Sequence, residues 1–170
     1  MQNMNINWKN IDKKSQNEVE SWLSEADRQN LCMQSKNWQE TAEDISFCLK
    51  NMKNGQFRNV VGYINNQPAV ALMFGVEHSG EVLNLYNIIV NPQFRYKGVG
   101  KQAVKDLINN GDKIFNLNKT YKEIKASTLP MNHISKKLFS TCGFSSCSFD
   151  GEYLVFTKYL SQNNQIEFCK

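Results

Sequence analysis

Apolar residues recur along the chain with two different periods, and the switches between them lay out a series of helices and strands. Val19, Trp22, Leu23 and Ala26 stand at i, i+3, i+4 and i+7, which predicts an amphipathic helix over 16–27 after a short strand over 5–9. Ala42, Ile45, Cys48, Leu49 and Met52 repeat that spacing and predict a second helix over 38–52, with Asn54-Gly55 as its stop. Two β-rich runs follow at 57–64 and 68–76, and Asn65-Asn66-Gln67 between them reads as a hairpin. His78-Ser79-Gly80 then turns the chain into a third strand over 81–90, giving a three-stranded antiparallel meander. Val99, Ala103, Val104, Leu107 and Ile108 hold helical spacing and predict a helix over 99–110, ended by Asn110-Gly111. A strand over 121–127, a helix over 132–141 and a closing hairpin of 144–149 and 153–160 around Asp150-Gly151 complete an α/β order.

No internal repeat or linker interrupts this series. Residues 1–160 read as a single domain and 161–170 as a polar, frayed tail, in keeping with a length of 170 residues. The hydrophobic fraction of 41% and charged fraction of 21% are those of an ordinary globular domain. The net charge of +4 comes without a concentrated Lys/Arg tract, which argues against a nucleic-acid or membrane surface. The longest apolar runs are too short to span a bilayer. Cys32, Cys48, Cys142, Cys147 and Cys169 are odd in number and form no Cys-x-x-Cys pair, so free thiols and a cytoplasmic location are expected. His78 and His133 are the only histidines, and no Cys/His spacing resembles a metal set.

The candidate chemistry lies where the third strand runs into the long helix. In 83–101, LNLYNIIVNPQFRYKGVGK, an apolar strand and a polar turn lead to Arg95, Gly98 and Gly100 at R-x-x-G-x-G spacing. Glycines let the backbone approach a ligand closely, and the first amides of the helix point outward without intrahelical acceptors. Those donors, the positive helix end and the cations Arg95, Lys97 and Lys101 together favour a diphosphate. The dinucleotide fingerprint would need a third glycine where Ala103 or Val104 stands, and a P-loop would need Ser or Thr where Gln102 stands.

The segment Arg95-Tyr96-Lys97-Gly98-Val99-Gly100 resembles the Q/R-x-x-G-x-G/A signature of the GNAT superfamily of acyl-CoA-dependent N-acyltransferases. A second block, from Asn132 through a helix bearing Phe139 to Gly143-Phe144, resembles the later family pattern in the same order. The resemblance covers roughly 57–159. It implies a mixed, mostly antiparallel sheet flanked by helices, with a splayed central strand pair that binds acyl-CoA. By position it also implies that the backbone of Ile88, Ile89 and Val90 holds the pantetheine arm, with the Ile88 amide as oxyanion donor. The backbone amides of Arg95, Tyr96, Lys97, Gly98, Val99, Gly100 and Lys101 would hold the pyrophosphate, and Asn132 would bond the pantetheine or cap its helix.

Two positions depart from the family pattern. Phe139 stands where many relatives carry a tyrosine acid, and Asn84 where some carry a glutamate base. Asn84 could order a water that relays a proton to Glu77, His78 or Glu81. Tyr86, on the same face as Asn84 and Ile88 by strict alternation, could bring a hydroxyl to the thioester. Cys142 is a candidate nucleophile or a small buried residue. The resemblance implies acetyl-CoA as acyl donor, no metal, a small or peptide amine as acceptor, and a monomer or homodimer. A CoA-binding sensor without turnover is the alternative.

Overall fold

The computed structural model describes residues 4–31, 33, 36–50, 56–77, 79–117 and 121–160. Its strands are β1 (Asn7–Asn10), β2 (Gln56–Ile64), β3 (Gln67–Val76), β4 (Val82–Val90), β5 (Glu123–Thr128), β6 (Ser146–Phe149) and β7 (Leu154–Tyr159). They form one sheet in the order β1-β2-β3-β4-β5-β7-β6. The β4–β5 pair is parallel and the other neighbours are antiparallel. The helices are α1 (Lys13–Ser21), α2 (Glu25–Asn30), α3 (Trp38–Lys50), α4 (Val99–Phe115) and α5 (His133–Thr141).

The expected hairpin forms because Asn65 and Asn66 both adopt positive φ, 50° and 61°, as a tight two-residue turn requires. Behind it β3 is buried from Ala69 to Val76 and divides two cores. On one face Val70, Leu72, Phe74, Leu83 and Leu85 pack with Val99, Ala103, Val104 and Leu107 of α4 and Phe139 of α5. On the other, Val61, Ala71, Met73 and Ile89 meet Val19, Trp22 and Leu23 together with Trp38 and Ala42 of α3. Trp38 is fully buried, and its indole N–H donates to Asn59 Oδ1 at 3.0 Å, so its large apolar surface leaves no orphaned donor.

Several boundaries differ from the sequence expectation, and among them β5 begins at Glu123 rather than Tyr121 and β6 at Ser146 rather than Phe144. The single helix expected over 16–27 is two. Asp12 starts α1 with a capping box to Ser15, Trp22 closes it, and Ser24 starts α2 with a second capping box to Asp27. Ala26 is consequently exposed, while Val19, Trp22 and Leu23 are buried. The first strand begins at Asn7 rather than Asn5. The long helix does not stop at Asn110. That residue leaves helical geometry (φ −136°, ψ 18°), yet the chain resumes and ends only at Asn116, in the left-handed conformation. Burial of Phe115 against Trp8 and Phe74, ring centres 5.2 and 4.9 Å away, favours the extra turn over the local stop signal. The Asn54-Gly55 stop, His78, Cys32, Cys169 and the 161–170 tail lie outside the described residues.

Candidate functional site

The site begins as a gap in the sheet. β4 and β5 pair only from Val82–Glu123 to Leu85–Ala126, so 86–90 of β4 and 127–128 of β5 have no partner across from them. A register shift between Met73 and Phe74 leaves Tyr86 as an extra residue on β4 where the pairing ends. That bulge changes which way the side chains point. Leu83 and Leu85 belong to the core under α4 and α5. Beyond the bulge Ile88 and Val90 face that core, while Ile89 faces the α1–α3 core. Asn84 and Tyr86 therefore share the α3 face, and Ile88 lies on the opposite one, contrary to strict alternation through 84–88.

The backbone of β4 follows the same logic. The Asn91 amide donates to Ala69 O at 2.9 Å. By the alternation of an antiparallel ladder, Ile89 and Asn87 then turn their peptide groups toward β3, and Ile88 and Val90 turn theirs into the gap. Val90 O is already taken by Arg95 Nε at 3.1 Å. The Ile88 peptide and the Val90 amide thus face the opening. Ile89 is not brought to it, since its side chain lies in the α1–α3 core and its peptide faces β3.

At the same end of the sheet, a 3-10 turn at Pro92–Phe94 delivers the chain to α4. Asn91 fixes that turn by accepting from the Gln93 amide at 3.0 Å and donating to Pro68 O at 2.9 Å. Gly98 caps α4 at φ 84° without a side-chain bond, and the first helical acceptor is Gly98 O, which takes Gln102 N at 3.0 Å. Among the described residues the amides of Val99, Gly100 and Lys101 have no acceptor. A Cβ on Gly98 would meet nothing within 4 Å. One on Gly100 would come within 3.3 Å of Val90 Cγ2, 3.9 Å of Ile88 Cδ1 and 4.0 Å of Leu138 Cδ2. The helix N-terminus, the gap and α5 therefore converge on Gly100.

The side chains of the R-x-x-G-x-G segment divide between scaffold and surface. Arg95 pairs with Asp27 at 3.0 Å, and the same nitrogen donates to Trp22 O at 3.4 Å. Its charge is spent on the α1–α2 corner rather than on the cradle. Burial would raise the Asp27 carboxyl, but hydrogen bonds from Ser24 and the Arg95 guanidinium outweigh it and hold the group below its usual value. Tyr96 is 93% exposed with φ 62°, a conformation costing a residue with a Cβ about 1–2 kcal/mol. Lys97 reaches over the Phe94 ring at 5.8 Å. Val99 is buried and offers only its backbone. Lys101 is half-buried, and its carbonyl lies 3.9 Å from Cys142 Sγ. Asn132 caps α5, its Oδ1 accepting from the Ser135 amide at 3.1 Å.

On the α3 face Asn84 donates to Glu77, and Tyr86 packs against the second core with its hydroxyl pushed up to about 12. Burial is the main cause and the nearby Glu77 charge the next, opposed by a hydrogen bond with Asn84. Tyr86 therefore holds its proton at neutral pH. Burial likewise raises the Cys142 thiol, which disfavours a thiolate nucleophile. Phe139 is buried against Phe144 and Phe156, at ring-centre distances of 5.4 and 5.5 Å. Asp27, the anchor of Arg95, escaped notice in the sequence although Ser24-Glu25-Ala26-Asp27 carries a readable capping box.

A parallel pair opened at one end, with a glycine-capped helix N-terminus beside the opening, is the arrangement that the GNAT resemblance implies. Residues 8–144 match the model of the Acetyltransferase (GNAT) family, and the chain belongs to that family. A comparison with curated protein sequences finds no match. Among solved structures, the chain is similar to the N-acetyltransferase PseH of Campylobacter jejuni, with 15% identity and TM-score 0.60 over 92% of this chain and 99% of that one. It is also similar to a Salmonella typhimurium acetyl transferase that modifies the N-terminal serine of ribosomal protein L7/L12, with 12% identity and TM-score 0.63 over 91% and 94% of the two chains. Spermidine N-acetyltransferase of Vibrio cholerae, solved with CoA and spermine, gives 10% identity and TM-score 0.64 over 91% and 95%.

Proposed function

We propose that this chain transfers the acetyl group of acetyl-CoA to an amine by direct attack on the thioester. The observation that carries this reading is the convergence of the free α4 amides with the β4 peptides that face the gap. Three unpaired donors at a positive helix end suit a pyrophosphate, and Gly98 and Gly100 keep the approach clear of Cβ atoms. An extended amide-bearing arm laid along β4 would meet the Ile88 peptide and the Val90 amide, replacing the missing strand neighbour. The Ile88 N–H is then the oxyanion donor, a kind of contact whose loss costs on the order of 2.7–4 kcal/mol of barrier.

In the reaction the amine nitrogen forms a C–N bond to the acyl carbon as the C–S bond breaks and thiolate departs. One proton leaves the ammonium before attack, by way of a water held at Asn84, to Glu77. A second passes from the amide nitrogen to the sulfur. Tyr86 keeps its proton and its hydrogen bond with Asn84, so it holds that residue in place and does not touch the thioester. Positioning contributes more than side-chain acid–base chemistry, because Phe139 has no proton to give and Asn84 is no base.

Phe139 and Asn84 also motivate the second reading, a CoA-binding sensor. Thiol release from acetyl-CoA with a panel of amines, including spermidine and an N-terminal serine peptide, distinguishes the two. Amine-dependent release with matching acetylated product supports transfer. Saturable binding without turnover for any amine supports the sensor.

A further inference from the structure

The one buried side-chain polar atom without a hydrogen-bond partner among the described residues is the hydroxyl of Thr128. Thr128 is 4% exposed, so bulk water does not satisfy that oxygen. Its place in the sheet gives it meaning. It is the last residue of β5, beyond the Leu85–Ala126 pair where β4 departs, and is held on its other side by pairing with Leu154 of β7. Ile124 and Ala126 belong to the core under α4 and α5, and the two-residue period puts Thr128 on that same face. Ile88 and Val90 contact that core from across the gap, and four residues further on Asn132 caps α5. The two sides of the opening thus differ: β4 turns peptide groups to it, and β5 carries a buried, unpartnered hydroxyl at its end.

We infer that Thr128 is a ligand-binding residue on the β5 wall of the gap, its hydroxyl bonding a secondary amide of the acyl carrier's arm. This rests on the acyl-CoA reading above and names a contact that the R-x-x-G-x-G segment does not supply. A hydroxyl suits an amide because it both donates and accepts. A buried hydroxyl left unpaired destabilises the fold, whereas an apolar group of the same shape does not, so valine at this position is the better choice for the fold and the poorer one for the ligand.

The test is calorimetric titration of wild type, Thr128→Val and Thr128→Ser with acetyl-CoA and with adenosine 3′,5′-bisphosphate, which lacks the arm. Thr128→Val is expected to melt at or above the wild-type temperature, to bind acetyl-CoA about three- to ten-fold more weakly, and to bind the bisphosphate unchanged. Thr128→Ser, which keeps the hydroxyl, retains acetyl-CoA affinity. Equal acetyl-CoA affinity in Thr128→Val and wild type overturns the inference, and so does equal weakening toward both ligands or equal weakening in both variants. If wild type binds neither ligand, the acyl-CoA reading falls and takes this contact with it.

Discussion

The guanidinium of Arg95 is anchored on the carboxylate of Asp27 at 3.0 Å, so the arginine of the R-x-x-G-x-G segment fastens the α1–α2 corner to the end of β4. Arg95→Ala is expected to cost about 1.5–3 kcal/mol of stability, the range for hydrogen bonds to charged groups. It should weaken acetyl-CoA binding only as far as the loop before Gly98 loosens. Chemical denaturation beside ligand titration separates the two effects. Asp27→Asn should reproduce the stability loss in part.

The same pair carries a pH dependence. The folded-state pKa of Asp27 is lowered, so its contribution is complete above the usual value of 3.8 and is lost as pH falls through the lower folded value. Acid unfolding should begin at higher pH in Arg95→Ala than in wild type. An unchanged acid limb would contradict the pairing.

Gly98 and Gly100 separate conformation from contact. Gly98→Ala meets no atom but must hold φ 84°, so about 1–2 kcal/mol of stability should be lost. Gly100→Ala asks only a small adjustment of Val90, and alanine favours the helix, so stability should stay within about 1 kcal/mol of wild type. Its Cβ projects among Ile88, Val90 and Leu138, but the family signature admits alanine at this position, so acetyl-CoA affinity should stay within about tenfold of wild type. Thermal melts and titration of both variants check the contrast.

Gly75 keeps α3 close to the sheet. A Cβ there would lie 2.5 Å from Gln56 O, 2.5 Å from Leu49 Cδ1 and 3.4 Å from Tyr86 Cε2. The β2 carbonyl is fixed by the ladder, so Gly75→Ala should cost about 1–3 kcal/mol as an overpacked position. Urea denaturation of the variant measures this directly.

Tyr86 and Tyr121 are both raised from the usual 10 to about 12, chiefly by burial. Their contribution to stability is complete below pH 10 and declines as pH rises toward 12, because the unfolded chain ionises first. Ultraviolet titration of tyrosinate should show a late-titrating component that shrinks by one group in Tyr86→Phe.

The glycine cradle was legible because its cause is local: glycine at the cap, and helix amides that no preceding turn can satisfy. The meander was legible for the same reason, through the paired asparagines of its hairpin. The bulge at Tyr86 was not. β4 is packed on both sides, so Leu83, Leu85, Asn87 and Ile89 are buried in unbroken alternation and the sequence gives no sign of the face change. The α4 stop at Asn110 failed because a long-range contact, Phe115 in the Trp8–Phe74 pocket, outweighed a turn signal. The Arg95–Asp27 pair was not legible because the two residues stand 68 positions apart, and spacing alone cannot supply that contact.

The central claim is that the gap and the α4 N-terminus together bind acyl-CoA. Calorimetric titration of acetyl-CoA and CoA into wild type and a Gly98→Glu, Gly100→Glu double variant tests it most directly. The account predicts saturable binding of both ligands by wild type and none by a variant that remains folded by circular dichroism. Absence of binding by wild type, or equal binding by the folded variant, would contradict it.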